Sequence, residues 1–179
     1  MISAIVAVDN NWGIGYNGDL LEHIPEDLNY FKNFVTNKLL IVGRKTYDTL
    51  PRRAFSQRDM VVITTNWQMY TNNHLVCIPN TNTFYMDLNQ CIDFFKNKVC
   101  RDNNGIDKDI CIIGGEQIYK ELLPFCDRVY VTKIYKDHEN VDTYFPNLDE
   151  SDEWTPAFSS DVRTFNGLSY QFWEYDRIS

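Results

Sequence analysis

The sequence is short of the residues that staple or metallate a small protein. Its five cysteines, Cys77, Cys91, Cys100, Cys111 and Cys126, form an odd set with no Cys-x-x-Cys pair, and its three histidines, His23, His74 and His138, are scattered. That pattern gives little support to a disulfide framework or a zinc site, so no metal is expected and a reducing compartment fits better. Long apolar runs are missing as well: no stretch reaches the length that spans a bilayer. The opening Met1-Ile2-Ser3-Ala4-Ile5-Val6-Ala7-Val8 lacks the basic start of a secretory signal. Positive charge is in deficit, with 17 lysines and arginines against 25 acidic residues and a formal net charge of −8. Such a field repels phosphate backbones and anionic membranes. The expectation is a cytoplasmic protein that acts on small molecules, with neither nucleic acid nor membrane as partner. A small anionic ligand stays admissible, because a few nearby cations outweigh the global sign. No repeat, linker or low-complexity block divides the 179 residues, so a single domain over 1–179 and a monomer are expected.

Aromatic residues are plentiful at 15%, which points to a ring-rich core or pocket. Short β-branched runs at Ile2–Val8, Leu39–Gly43, Met60–Thr64, His74–Ile78, Ile110–Ile113 and Arg128–Ile134 read as strands. Helical patterns lie between them, from Pro25 to about Thr36, Arg44 to Leu50, Leu88 to Val99 and Glu116 to Leu123. Trp154–Ser159 and Leu168–Tyr175 read as strands around an Asn166-Gly167 turn, and Asn103-Asn104-Gly105 as a loop tip. The alternation predicts an α/β fold: a central, mostly parallel, twisted sheet of about eight strands, flanking helices, and an antiparallel C-terminal edge.

Two adjacent acids open the first helix. On a helical wheel Asp27 falls between Phe34 and Phe31, in an arc that also holds Leu28 and Val35, whereas Glu26 points about 100° away toward Asn29 and Asn33. Complementing the helix dipole explains Glu26 and Asp27 equally well. It does not explain a carboxylate centred on an apolar face, where ionisation is costly without a partner and where functional acids concentrate. Glu26 is expected to face water and Asp27 the interior or a cleft.

Three strand ends carry glycine-rich corners: Gly13, Gly15 and Gly18 after the first strand, Gly43-Arg44-Lys45-Thr46 after the second, and Gly114-Gly115 before the helix from Glu116. Glycines after strands are ordinary turn formers, and Gly114-Gly115-Glu116-Gln117 lacks the third glycine of the dinucleotide fingerprint. Two helix starts with free N–H groups nevertheless suit a pyrophosphate.

In combination these pieces resemble the dihydrofolate reductase family over essentially the whole chain. The matching segments are Ile2-Ser3-Ala4-Ile5-Val6-Ala7, Gly13-Ile14-Gly15, Ile24-Pro25-Glu26-Asp27-Leu28 with Phe31-Lys32, and Val42-Gly43-Arg44-Lys45-Thr46-Tyr47. Arg53, Arg58, Ile112-Ile113-Gly114-Gly115 with Tyr119, Val131-Thr132-Lys133-Ile134 and Asp142-Thr143-Tyr144-Phe145-Pro146 complete the set. The resemblance implies NADPH-dependent reduction of 7,8-dihydrofolate to tetrahydrofolate, with hydride to C6 and a proton to N5. It assigns Asp27 to the pterin edge, helped by Thr132, with water as the immediate proton donor. It makes Ile5, Ala7, Leu28, Phe31, Phe55 and Ile113 the walls of the substrate site, and gives the glutamate carboxylate to Arg58, with Arg53 as a looser contact. For the cofactor it assigns Ala7, Ile113 and the loop containing Gly13, Ile14, Gly15, Gly18, Asp19 and Leu20 to the nicotinamide side. The pyrophosphate falls to Gly43, Lys45, Thr46 and the turn Gly114, Gly115, Glu116, Gln117, Ile118, Tyr119, and the 2′-phosphate to Arg44, Thr64 and Thr65. Asp142 resembles a residue that braces the nicotinamide lid.

The pattern breaks at Leu21-Glu22, where the family usually has Pro-Trp. Glu22 either swings to solvent or sits near Asp27, where like charge would raise the proton affinity of Asp27. Ala54-Phe55-Ser56 replaces a proline-rich loop, and Gln117 stands where some relatives are basic. Two other readings stay open: another NADPH reductase of the same fold, of the riboflavin-pathway pyrimidine reductase type, and a catalytically impaired ligand-binding homologue.

Overall fold

A computed structural model describes residues 1–51, 55, 58–69, 83–97 and 108–179. The expected strand at 74–78, the loop tip at 103–105 and Arg53 lie outside the described residues. At the centre is β1 (Ile2–Val8), hydrogen-bonded in parallel to β7 (Ile110–Gly114) on one side and β8 (Arg128–Ile134) on the other. Beyond β7 come β4 (Leu39–Gly43), β5 (Met60–Ile63) and β6 (Thr83–Met86), all parallel. Beyond β8 come β12 (Leu168–Arg177) and then β10 (Trp154–Ser159), both antiparallel to their neighbours. The main sheet therefore has the expected architecture, a parallel body with an antiparallel C-terminal edge.

The inner strands are buried along nearly their whole length because both faces of the sheet are covered. Side chains alternate between two cores. Ala4, Val6, Val8, Ile41, Val61 and Ile112 face one way, against Cys91 and Phe95 of α3 (Leu88–Lys96) and Ile118, Tyr119 and Leu122 of α4 (Glu116–Leu122). Ile5, Leu40, Val42, Val62, Cys111 and Ile113 face the other way. There they meet Phe31 and Phe34 of α1 (Pro25–Phe34) and Tyr47 of α2 (Arg44–Thr49). Pro25 starts α1 at a position that needs no N–H, and the chain leaves the helix through Asn37 at φ 62°. The α3 start is held by a reciprocal pair, Asp87 with Gln90.

Three features depart from the sequence reading. The glycine-rich segment after β1, read as a loop, forms β2 (Gly13–Tyr16) and β3 (Asp19–Leu20), which join β9 (Thr143–Tyr144) in a separate antiparallel sheet. Strands of two to four residues are too short to show alternation. A strand appears at Thr83–Met86, where none was expected. The Asn166-Gly167 turn, with φ of 47° and 74°, joins β12 to β11 (Arg163–Phe165), so β10 and β11 both pair with β12.

Candidate active site

Asp27 leaves the first turn of α1 and meets Thr132 of β8, whose hydroxyl donates to Asp27 Oδ1 at 2.6 Å. Thr132 is itself buried and lies in register with Ala7 of β1. Among the described residues the Asp27 carboxylate has no other hydrogen-bond partner and no cation. Burial pushes its carboxyl above the usual carboxylate range; the Thr132 hydrogen bond opposes the shift and the neighbouring Glu26 adds to it. The wheel separated these two acids correctly in direction. Glu26 is exposed, but it is not merely solvated: it accepts from Arg163 and from the Tyr170 hydroxyl, both on the C-terminal edge of the sheet.

The apolar wall beside Asp27 is built as one cluster. Ile5 and Ile113 are buried together, with Phe31 and Phe55 packed against them at 6.1 Å between ring centroids. The β4–β7 register shifts between Ile41 and Val42, which pair with Ile112 and Gly114, so Ile113 has no opposite residue where the strand meets the cleft. Leu28, from the same helical arc as Asp27, is left exposed. Arg58 lies against the end of α1, with Nη1 near Thr36 Oγ1 and Nη2 near the Lys32 carbonyl, each at 3.3 Å. A guanidinium fork therefore stands at the opposite end of α1 from Asp27.

Two further corners come together on the far side of β7. A Cβ on Gly115 would sit 2.9 Å from Thr46 Oγ1, and one on Gly43 would sit 3.0 Å from Ile118 Cγ1, so only glycine lets the two turns approach this closely. Gly114, at φ 131°, also needs glycine. Helices α2 and α4 begin at Gly43 and Gly115 without side-chain caps, which leaves adjacent backbone donors for an anion. This cradle fits a dinucleotide pyrophosphate. Lys45, Thr65 and Gln117 are exposed around it, and Thr64 is buried at the end of β5. Arg44 runs along its own helix to Asp48 at 3.0 Å. Ile118 and Tyr119 turn inward; the Tyr119 hydroxyl donates to the Ile5 carbonyl at 2.7 Å, and burial pushes its proton loss far upward.

The small sheet forms a lid above β1. Asp142 ties it down, its carboxylate accepting from the Asn17 N–H at 2.9 Å while its own N–H donates to the Gly15 carbonyl. Glu116 accepts from the Tyr144 N–H, linking the lid to α4. At the end of the lid, Glu22 accepts from Lys136 Nζ at 2.7 Å and faces His138 Nε2 at 3.0 Å. Lys136, with His138, holds the Glu22 carboxyl below the usual range despite partial burial. The charge that adds to the Asp27 shift is Glu26, not Glu22. Sequence reasoning missed this cluster. His138 was only one of three scattered histidines in the sequence, because its partners Asp9 and Glu22 lie more than a hundred residues upstream.

A family model described as dihydrofolate reductase matches residues 1–177. The chain belongs to the dihydrofolate reductase family. The dihydrofolate reductase of Bacillus subtilis (strain 168) is 33% identical, with 99% of this chain and 95% of that protein covered. That of Schistosoma mansoni is 28% identical over 98% of this chain and 95% of its own length. Among solved structures, the dihydrofolate reductase from Enterococcus faecalis complexed with NADP(H) and RAB-propyl superimposes with a TM-score of 0.74. It covers 100% of this chain and 97% of that one at 26% identity. Against this dihydrofolate reductase frame, the Glu22 cluster stands out as the place where this member replaces an expected tryptophan with a charge network.

Proposed function

We propose that this chain reduces 7,8-dihydrofolate to 5,6,7,8-tetrahydrofolate with NADPH, supplying one-carbon metabolism. The observation that carries the reading is Asp27, a carboxylate held by Thr132 on an otherwise apolar wall, with no cation beside it among the described residues. Bound NADPH supplies the hydride. Asp27, with one oxygen anchored by Thr132, accepts hydrogen bonds from the amino group and ring N–H of the pterin. Its charge favours a protonated ring at N5, and water delivers that proton. Ile5, Phe31, Phe55 and Ile113 exclude bulk water from the ring and strengthen that interaction. Arg58 takes the glutamate carboxylate, for which a planar fork is suited. On the cofactor side, the Gly43–Thr46 and Gly114–Gly115 corners would hold the pyrophosphate, Arg44, now paired with Asp48, would take the 2′-phosphate, and the Gly13–Leu20 segment would cover the nicotinamide.

No described helix is long and apolar enough to cross a membrane. The acidic balance favours small molecules over nucleic acid as partners, and the cysteine pattern supports a reducing, cytoplasmic setting for a monomer. The test is NADPH oxidation with dihydrofolate, with and without a diaminopyrimidine antifolate. The expected result is turnover that the antifolate blocks. Turnover of a riboflavin-pathway pyrimidine alone, or ligand binding without turnover, would overturn the proposal.

A further inference from the structure

We propose that His138, in its doubly protonated form, is a positioning residue that latches the Gly13–Glu22 lid by bridging Asp9 and Glu22. His138 reaches this place from the connection between β8 and β9. Its Nδ1 lies 3.1 Å from Asp9 Oδ2 and its Nε2 lies 3.0 Å from Glu22 Oε1. A neutral imidazole carries one N–H, so either tautomer leaves one carboxylate facing a lone pair. Only the imidazolium satisfies both contacts, each as a charge-assisted hydrogen bond.

The two carboxylates sit at opposite ends of the lid. Asp9, buried at the end of β1, is fixed by its other oxygen, which accepts from the N–H groups of Asn11 at 3.0 Å and Gly13 at 2.8 Å. Gly13 lies so close that only glycine fits there: a Cβ would sit 3.0 Å from Asp9 Oδ1 and 2.8 Å from Val141 Cγ1. Glu22 closes the other end and lines a small cavity with Ala7, Ile14 and Leu20, the nicotinamide side of the proposed site. One ring therefore holds the segment before the lid to the segment after it.

The remaining charges around the cluster leave this role to His138. Lys136 pairs with Glu22, Asp137 accepts from the Asn10 and Asn11 side chains, and Asp19 pairs with His23 at 3.2 Å. Glu139 is exposed on the rim of the same depression. When His138 loses its second proton, the lid keeps the Lys136 tie but loses one of the two bridge contacts. The latch is expected to slow release of NADPH; that consequence rests on the reductase reading, whereas the bridge itself does not.

The test follows two amides that tie the lid sheet, that of Asp142, which donates to the Gly15 carbonyl, and that of Phe145, which donates to the Trp12 carbonyl, by hydrogen exchange across pH in the ligand-free protein, corrected for intrinsic exchange. The His138 ring nitrogens are followed by NMR in the same samples. The expected result is lid protection that falls about tenfold as the ring loses its second proton, with no such step in His138→Gln or Glu22→Gln. Protection that ignores the ring's protonation state in wild type overturns the latch. In the holoenzyme, His138→Gln is expected to release NADPH about tenfold faster, at a rate no longer dependent on that proton. An unchanged release rate overturns the functional role. If wild type binds no NADPH the reductase reading falls, while the exchange measurement still decides the bridge.

Discussion

Glu22 and Asp27 lie on either side of the entry to α1, and they have opposite surroundings. Glu22 sits between an ammonium and an imidazole, and its carboxyl is held below the usual range. Asp27 has a neutral hydroxyl, a buried apolar wall and a second acid beside it, and its carboxyl is held above. Glu22 is a charge the fold has already satisfied. Asp27 is a charge that the described residues leave without a cation, and on the proposed reading its partner is the protonated pterin ring. Unsatisfied charge, rather than charge itself, marks the reactive position.

The sharpest way to break this comparison is Asp27→Asn. Removing the charge is expected to cost at least about a hundredfold in turnover at neutral pH, partly regained at low pH where the substrate is already protonated. Equal activity across pH, measured by single-turnover hydride transfer, would take Asp27 out of the mechanism. Thr132→Val should follow at about tenfold, because the hydrogen bond that orients the carboxylate is charge-assisted. The same substitution should move the Asp27 titration upward in the pH–rate profile, since Thr132 opposes the burial shift.

A finer distinction concerns which neighbour Asp27 senses. Glu26→Gln is expected to lower the apparent pKa for hydride transfer, and Glu22→Gln to leave it in place. A shift on Glu22→Gln alone would reverse the assignment.

The smallest effects are on stability, and they have opposite signs. Asp27 binds its proton more tightly folded than unfolded, so its contribution is complete below its unfolded pKa and is lost as pH rises through its folded one. Glu22 binds its proton less tightly when folded, so its contribution is present above its unfolded pKa and is lost as pH falls through its folded one. At neutral pH, Asp27→Asn should therefore raise Tm and Glu22→Gln lower it, each by about 2–4 °C for a chain of this size. Thermal melts repeated at acid pH should bring both variants back toward wild type.

The sequence revealed the parts of this site that depend on periodicity and missed those that depend on distant pairing. Asp27 was legible because three turns of helix fix its angle to Phe31 and Phe34. The central strands were legible because burial on both faces removes polar residues from them. Glu26 was placed on the correct side, yet nothing local could show that Arg163 and Tyr170 would meet it there. The lid sheet was invisible for the same reason: its third strand is two residues long and arrives from position 143. The fate of Glu22 was left as two alternatives, because its partners Lys136 and His138 lie more than a hundred residues away. Leu28 shares the helical arc of Asp27 but is exposed, since an arc facing a cleft looks the same in sequence as one facing a core.

The position of β1 also bears on how the chain reaches this structure. Ile2 pairs with Ile110 and Ser3 with Arg128, so the middle strand of the sheet has both neighbours more than a hundred residues downstream. Until those segments exist, Ile2–Val8 is an apolar strand with two open edges, the arrangement most prone to pairing with another molecule. Contacts of such sequence separation close slowly compared with the helices beside them. The strand that carries Ile5 and Ala7 into the site therefore cannot be paired on either edge before both downstream strands are made, which ties assembly of the pocket to completion of the sheet.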